Sequence, residues 1–315
     1  MYMRRLYITL FFFGSVSWLQ AQTLTDGWMM KPKTFCTGFM FGHDQWKNYW
    51  EGSLRRSNDN IGKLTTQSVM YAGTLGVTDK LNIVAMLPYI WTNASQGTLH
   101  GQQGIQDLTL GAKYRVAHWE LGAGSLKAFG VLALSTPLTN YTPDFLPLSI
   151  GLQSKRVSWR GTLNYQLGNG WQVNATGAYT WRSNATLDRP SYYTDGQSIT
   201  SSEVWMPNVI DYAVTVAYVK GSMQSYLSYL QQNTLGGGDI RRQDMPFVSN
   251  RMNYSKVEVL VMNYLPWPKG LAVRASAAYT VAGRNVGQSY TLMGGLMYTI
   301  QFKSNTDNTT EHIYE

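Results

Sequence analysis

The chain has 315 residues and a formal net charge of +8, and only 14% of its residues are charged while 13% are aromatic. An average soluble domain carries roughly a quarter charged residues, so the chain is poor in charge. The chain also contains no run of about 20 apolar residues that would form a membrane helix. The single cysteine excludes an internal disulfide and a cysteine-cluster zinc site, and the scattered basic residues give no case for a nucleic-acid partner.

The first predicted element is an export sequence at residues 1–21. Arg4 and Arg5 form its positive end, Leu6–Trp18 is its apolar stretch, and Ala21 is a small residue at which cleavage is expected. The stretch is too short to span a membrane as a helix. The sequence therefore predicts a secreted protein in which residues 22–32 form a periplasmic segment.

The chain then repeats a strand pattern with a period of two. Within Trp171–Arg182, apolar residues such as Val173 and Tyr179 alternate with polar ones, which gives the strand one apolar and one polar face. Twelve such strands are predicted, at about residues 33–46, 63–76, 81–92, 105–116, 125–136, 155–167, 171–182, 208–219, 223–232, 254–265, 271–281 and 289–302. The segments Leu126–Leu134 and Met223–Gln231 could have either face outward.

The links between these strands alternate between short and long. The turns at 168–170 and 220–222 have three residues, whereas the links at 183–207 and 233–253 exceed 20. This alternation is typical of an outer-membrane barrel with tight periplasmic turns and long external loops. The predicted fold is therefore an all-β transmembrane antiparallel barrel over residues 33–303, followed by a polar periplasmic tail at 304–315.

A soluble secreted β-sandwich is the alternative fold. It would show the same alternation, but its strand faces would not end in tryptophan and tyrosine, and its long loops would not all fall at one end. Strands in lipid must close into a barrel to satisfy every backbone hydrogen bond. The sequence therefore favours the barrel and places the protein in the bacterial outer membrane.

Two segments, Tyr71–Pro88 and Gly104–Val116, carry a family resemblance. The first contains the turn GVTD at residues 76–79 and leads into LPY at 87–89, and the second reads GIQDLTLGAKYRV. Both are similar to the phenol-degradation meta-pathway family of outer-membrane β-barrel proteins, which are described as transporters. The resemblance covers about residues 60–120 and implies an outer-membrane barrel for small aromatic or apolar compounds, but it brings no binding residues with it.

Nine charged residues lie on the strand faces opposite the apolar ones. Because a charge at mid-depth on the lipid face costs about 2–4 kcal/mol, these side chains are predicted to face the lumen. They are Asp107, Lys113, Arg115, Arg160, Arg182, Asp211, Lys256, Glu258 and Arg274. Six of the nine are basic, which indicates a lumen that favours anions. Ion pairs that merely fill a narrow barrel are the alternative interpretation.

Further candidate sites lie in the external loops. Tyr192, Tyr193 and Trp205 are candidates for stacking on an aromatic or sugar ligand, and equally for packing the loop over the barrel mouth. Loop arginines are candidates for pairing with phosphates of lipopolysaccharide, and equally for plain solvation. These arginines are Arg55, Arg56, Arg189, Arg241, Arg242 and Arg251. Outer-membrane lipid is the other expected partner.

No catalytic, metal or cofactor site is predicted, and the chain is not expected to be an enzyme. An outer-membrane phospholipase needs a nucleophilic serine next to a histidine on one strand face. None of the four histidines, His43, His100, His118 and His312, has a serine two residues later. Asp44 directly follows His43, so the two side chains fall on opposite faces of a strand and chelate a metal poorly.

Two functions remain open from the sequence. The first is a passive channel or transporter that passes small-molecule solutes through a lumen lined by inward polar and mostly basic residues. The second is a non-conducting structural subunit that works with another protein of the envelope, for which the tail at 304–315 offers a docking segment. Ion conductance of the purified protein separates the two.

Overall fold

The fold is described by a computed structural model that covers residues 23–194, 196–241 and 246–302. Twelve long strands follow one another along the chain: β1 (Thr34–Trp46), β2 (Leu64–Gly76), β3 (Leu81–Ala94), β4 (Asp107–Leu121), β5 (Gly124–Pro137), β6 (Arg156–Leu167), β7 (Trp171–Arg182), β8 (Val209–Lys220), β9 (Met223–Thr234), β10 (Asn253–Tyr264), β11 (Leu271–Arg284) and β12 (Tyr290–Gln301). Each pairs antiparallel with the next, and β1 pairs with both β2 and β12, so the sheet closes. The predicted barrel of twelve antiparallel strands is confirmed.

The largest difference from the predicted strand boundaries is at β4. The sequence predicted an end at residue 116, whereas the strand runs to Leu121. The register with β5 shifts between Arg115 and Ala117, and such a bulge inserts an extra residue that reverses the alternation of the side chains beyond it. The pattern with a period of two therefore breaks inside the strand rather than at its end.

The outer surface of the barrel is apolar and has an aromatic rim at each end. Trp171 and Tyr218 lie at the end with the short turns, with ring centroids 5.1 Å apart, and Trp159 and Tyr179 lie near the other end, 6.3 Å apart. Trp171 and Tyr179 are eight positions apart, which is about 26 Å along the strand. The apolar band of an outer-membrane barrel is about 25 Å tall, so the barrel has the height that lipid requires.

The strand β9, whose orientation the sequence left open, has its odd-numbered residues outward. Leu227 and Tyr229 are exposed on the outer surface, whereas Gln224 is buried inside.

In the described part of the chain, no helix is long and apolar enough to cross a membrane.

The connections at the two ends of the barrel differ in length as predicted. Tight turns occupy residues 77–80, 122–123, 168–170, 221–222 and 265–270, and long loops occupy 47–63, 95–106, 138–155, 183–208 and 235–252. The sixth connection at the end with the long loops, 285–289, is the exception and is as short as a turn. Several loops carry small hairpins, such as Asn48–Glu51 with Leu54–Ser57, and one carries a 3-10 helix at Pro143–Phe145. The predicted export sequence at 1–21 and the polar tail at 304–315 both lie outside the described residues.

Glycines allow close packing where β1 meets β12. A Cβ atom on Gly38 would lie 2.1 Å from the carbonyl oxygen of Leu296, and one on Gly295 would lie 2.3 Å from that of Phe39. Both glycines alternate with residues exposed on the outer surface, so they face inward, where Met40 and Met297 fill the space. The interior at this point is a packed wall rather than open space.

Candidate functional site: the barrel lumen

The charged residues predicted to face the lumen all lie at positions that alternate with outward-facing residues. Arg160, Asp211, Glu258 and Arg274 line a cavity of about 370 Å3. Arg160 and Asp211 also line a second cavity of about 200 Å3, together with Arg182.

The remaining four predicted positions differ in burial. Lys113 is fully buried and Asp107 is 5% exposed. Arg115 and Lys256 are half-buried next to the exposed Val116 and Val257. The lumen is thus highly charged, but its charges occupy distinct environments.

The lumen is also occupied by the chain itself. Residues 23–30, hereafter the lumen segment, enter from the end with the short turns and reach Lys113 midway along β4. The ammonium group of Lys113 donates hydrogen bonds to the carbonyl oxygens of Thr23 and Asp26, at 3.2 and 2.6 Å, and to Oδ1 of Asp26 at 2.6 Å. An ammonium group has three donors, and all three are directed at the lumen segment.

The carboxylate of Asp26 shapes the lumen segment around this lysine. Its Oδ2 accepts a hydrogen bond from Oγ1 of Thr23 at 2.9 Å, and its Oδ1 accepts one from the backbone N–H of Trp28 at 3.1 Å. A short aspartate side chain that bonds its own neighbouring backbone is a common turn device. The fold of the segment and its ion pair with Lys113 therefore depend on one residue.

Apolar contacts hold the lumen segment at both of its ends. Leu24 packs against Gly111, where a Cβ atom would lie 2.5 Å from Leu24 Cδ2. Met30 belongs to a buried cluster near the short turns that includes Cys36, Met262 and Met297. The sequence predicted residues 22–32 to be a periplasmic segment, whereas the described part of it contacts the inner wall. A fully buried lysine must have hydrogen-bond acceptors, and the lumen segment supplies them.

One of the predicted charges, Asp107, is neutralised within the wall. Its Oδ2 accepts a hydrogen bond from Nη2 of Arg156 at 2.7 Å, and its Oδ1 accepts one from the hydroxyl of Tyr141 at 2.7 Å. Burial, with the adjacent Asp107 carboxylate, raises the pKa of Tyr141 well above its usual value, so the phenol remains a donor. The alternative interpretation of the charges as internal ion pairs therefore fits Asp107.

The arginines farther along the wall are not neutralised in this way. Within the described residues, no carboxylate lies within 4.0 Å of the guanidinium groups of Arg160 or Arg182. The Nε atoms of Arg156 and Arg182 are buried and donate no hydrogen bond to the described part of the chain. Asp211 is the acidic residue that interacts electrostatically with Arg160 and Arg182, but it makes no ion pair with either within the described residues.

The three aromatic candidates of the longest loop are placed differently from one another. Tyr192 is 8% exposed and stacks on Phe247, with centroids 5.3 Å apart, in an apolar cluster that joins the loops 183–208 and 235–252. Tyr193 and Trp205 are 56% and 59% exposed. Tyr192 thus packs the loop, and only the other two are accessible to a ligand.

Two of the loop arginines pair within the chain. Arg189 lies 2.6 Å from Oδ2 of Asp144, and Arg56 pairs with Glu51. The described residues contain no group of three or more histidine, cysteine, aspartate or glutamate side chains that could hold a metal ion.

Two residues important for the lumen were missed from the sequence. Arg156 lies on the same face of β6 as Arg160, four residues earlier, so the pattern with a period of two could have found it. Asp26 precedes the first strand, in a segment without periodicity, and nothing in the sequence connects it to Lys113. Contacts between a segment and a distant strand depend on the closed barrel.

Comparisons with known proteins agree with this architecture. A family model described as "Putative MetA-pathway of phenol degradation" matches residues 56–245, which is more than half of the chain. Among solved structures, the chain is similar to the COG4313 outer membrane channel from Pseudomonas putida F1, with a TM-score of 0.67 and 15% identity over 86% of this chain and 97% of that one. This likeness shows a shared fold.

Two further solved structures match with lower scores. The TodX monoaromatic hydrocarbon channel, as its deltaS2 mutant, matches with a TM-score of 0.43 and 10% identity over 87% of this chain and 91% of that one. The beta domain of the Bordetella autotransporter Brka matches with a TM-score of 0.42 and 12% identity over 84% and 99%. No curated protein matches the chain in sequence.

Proposed function

The chain belongs to the family described as "Putative MetA-pathway of phenol degradation", and we propose on that basis that it is an outer-membrane channel for small molecules. The observation that carries the proposal is a closed barrel that is apolar outside and contains charged cavities of about 370 and 200 Å3 inside. Outward apolar residues suit lipid, and inward charges suit a solute path through the membrane.

The solutes are small, and aromatic or apolar compounds are the favoured class. The description of the family refers to phenol degradation, and the cavities are too small for large molecules. Six of the nine predicted lumen charges are basic, which favours solutes that carry a negative or electron-rich group. The outer surface of the barrel contacts lipid, and the exposed loop arginines face lipopolysaccharide.

Ion conductance in planar bilayers tests the proposal. The purified protein is expected to give discrete current steps, with a reversal potential in a salt gradient that indicates a preference for anions. Arg160→Glu and Arg115→Glu should each shift the reversal potential towards cation preference, because they reverse an inward charge. Lys269→Glu, in an exposed short turn, serves as the matched control and should leave the potential unchanged.

The second candidate function is a non-conducting subunit of an envelope complex. The lumen segment, which is fastened to Lys113 inside the barrel, favours this alternative. A barrel with this role would give no current above background either as the natural protein or as Lys113→Met, in which the fastening is removed. Discrete current from either protein would contradict the non-conducting function.

A further inference from the structure

We infer that the inner wall holds an anion-binding site, formed by the guanidinium groups of Arg156, Arg160 and Arg182, that takes a small carboxylate with an apolar body. This inference deepens the proposed function because it names a class of solute, but the binding site itself does not require conduction. It follows from the register of two strands, the local charge balance and the shape of one cavity.

The register of β6 and β7 brings the three arginines together. Arg156 and Arg182 are directly opposite each other in the antiparallel pair, and Arg160 lies opposite Ala178, four residues along the same face. Side chains of directly opposite residues on one face start about 4.5–5.5 Å apart at Cβ. Two like charges at this spacing repel each other, so their placement needs a compensating negative charge nearby.

The chain supplies only part of that negative charge. Asp107 pairs with Arg156 through a single terminal nitrogen, at 2.7 Å. Asp211 lines the same cavity as the arginines, but among the described residues it has no ion pair within 4.0 Å. Buried cationic groups without acceptors are costly. A bound anion would satisfy the guanidinium groups that the wall leaves without partners.

The buried Nε atoms give independent support. The Nε–H groups of Arg156 and Arg182 have no hydrogen-bond partner within the described residues. A guanidinium group binds a carboxylate through two parallel N–H donors in a fork that matches the two oxygens. Arg182, which has no side-chain acceptor in the described part of the chain, is the residue best placed to hold a carboxylate in this way.

The cavity beside these arginines is lined by both polar and apolar side chains. The polar lining includes the guanidinium groups and two hydroxyl pairs, Thr109 with Ser135 and Ser158 with Thr180, which are hydrogen-bonded at 2.8 and 2.9 Å. The apolar lining comes from Leu24, Val131, Ala133 and Val209. An ion without hydrocarbon would leave these apolar side chains uncovered, whereas an aromatic or short aliphatic carboxylate would cover them.

The size and charge of the two cavities place the anion in the smaller one. Its volume is about 200 Å3, below the roughly 300–1,000 Å3 of pockets for drug-sized ligands, so the ligand must be small. Three arginines and one aspartate line it. The larger cavity has two arginines, Arg160 and Arg274, against three acids, Asp26, Asp211 and Glu258, and it would repel an anion more than attract it.

Equilibrium dialysis with radiolabelled benzoate tests the inference on the folded full chain in detergent, with empty micelles as the blank. Saturable binding at one site is expected. Benzoate should be displaced by unlabelled benzoate, and not by benzyl alcohol at the same concentration, because benzyl alcohol has the ring but no charge. Chloride at the same concentration should also fail to displace it, because chloride cannot cover the apolar side chains of the lining.

Variants locate the site on the arginines. Arg182→Gln should weaken benzoate binding about 10-fold or more, since a hydrogen bond to a charged group is removed. Arg160→Gln is a second variant that guards against a local folding defect, and each protein is checked for the heat-dependent gel migration of a folded barrel. Lys269→Gln removes an equal charge at an exposed turn and should leave the affinity unchanged.

Three results would overturn the inference. The first is that the folded natural protein shows no saturable binding of benzoate. The others are that both arginine variants bind benzoate as tightly as the natural protein does, or that chloride displaces it as well as unlabelled benzoate does. The result is separate from that of the conductance test. A barrel that binds benzoate but carries no current contradicts the channel function and leaves the site standing. A barrel that conducts but does not bind benzoate contradicts only the site.

Discussion

At the scale of single residues, Lys113 shows why a charge can lie inside a barrel without contact with water. A buried ammonium group is unfavourable unless it is paired and all its donors are bonded. Here two backbone carbonyl oxygens and one carboxylate, all from Thr23 and Asp26, satisfy it. The strand pattern predicts that Lys113 faces inward, but its acceptors belong to the segment 22–32, which the sequence predicts to be periplasmic.

Removing this ammonium group should release the lumen segment. In Lys113→Met the carboxylate of Asp26 loses its cation, and the turn around it loses its anchor on β4. The position of the segment is reported by a cysteine introduced through Leu24→Cys, which a bulky polyethylene-glycol maleimide can modify. This cysteine should be modified about 10-fold faster when Lys113→Met is also present than when Lys113 is retained, because an interaction of about 1.5–3 kcal/mol has been removed. Gel shift over time measures the rate, and the buried native Cys36 remains protected.

The control for this experiment is Lys256→Met, which removes another lumen-facing lysine that contacts Tyr254 rather than the lumen segment. It should leave the modification rate unchanged. An equal rate in the Lys113→Met and Lys256→Met proteins would mean that Lys113 does not hold the segment.

At the scale of strands, β9 shows what an alternating pattern can and cannot determine. The period of two was clear, but leucine and tyrosine occur on both faces, so the sequence did not say which face meets lipid. The structure settles it, because β9 pairs with β8 and β10, whose outward faces carry valines such as Val214 and Val259. In β4, the sequence pattern did not show where the strand ends, because the bulge reverses the alternation of inward and outward side chains before the end is reached.

A pair of arginine substitutions tests the orientation of β9. Leu227 is 54% exposed on the outer surface, and Leu230 lines the larger cavity. Leu227→Arg should lower the free energy of unfolding by about 2–4 kcal/mol, the cost of a lipid-facing cation at mid-depth. Leu230→Arg places the same charge inside the lumen, opposite Lys256 and diagonal to Glu258, and should change the free energy of unfolding far less because the side chain does not meet lipid. Urea titration in lipid vesicles measures both, and a larger loss for Leu230→Arg would mean that the assigned face is wrong.

At the scale of the whole molecule, one asparagine joins loops that are far apart in the sequence. Asn285 has a positive φ of 56°, and its Oδ1 accepts hydrogen bonds from the backbone N–H groups of Gly52 and Ile240, at 2.7 and 3.1 Å. Its Nδ2 donates to Oδ1 of Asp239 and to the carbonyl oxygen of Arg251. All four hydrogen-bonding positions of the amide are used, so the end with the long loops is tied together.

This junction should depend on pH through Asp239. The hydrogen bond from Arg284 lowers the pKa of Asp239 below its usual value of 3.8. A lowered pKa in the folded state adds stability that is present above pH 3.8 and is lost as the pH falls through the folded value. At neutral pH the Ile240 amide should therefore exchange its hydrogen faster in Asp239→Asn than in the natural protein.

The two proteins should converge as the pH falls well below 3.8, where Asp239 is protonated. Because each comparison is made at a single pH, the intrinsic pH dependence of amide exchange cancels. A difference between them that persists unchanged into acid would show that the Asp239 charge does not hold the junction.

The architecture was largely predictable from the sequence, whereas the contents of the lumen were not. Lipid imposes an outward apolar face and short turns at one end, and both leave a local pattern, as in Trp171–Arg182. The pairing of Asp26 with Lys113, or of Arg156 with Asp107, joins residues 87 and 49 positions apart. No local pattern encodes such contacts, because they arise only when the closed barrel brings distant strands and segments to the same depth.

The pairing of β1 with β12 brings together the two extremes of the strand series. Until β12, Tyr290–Gln301, is in place, the edges of β1 and β11 present unsatisfied N–H and C=O groups, which the hydrocarbon interior cannot tolerate. A barrel that lacked β12 would leave both of these edges open, so closure of the whole sheet depends on the twelve residues of its last strand.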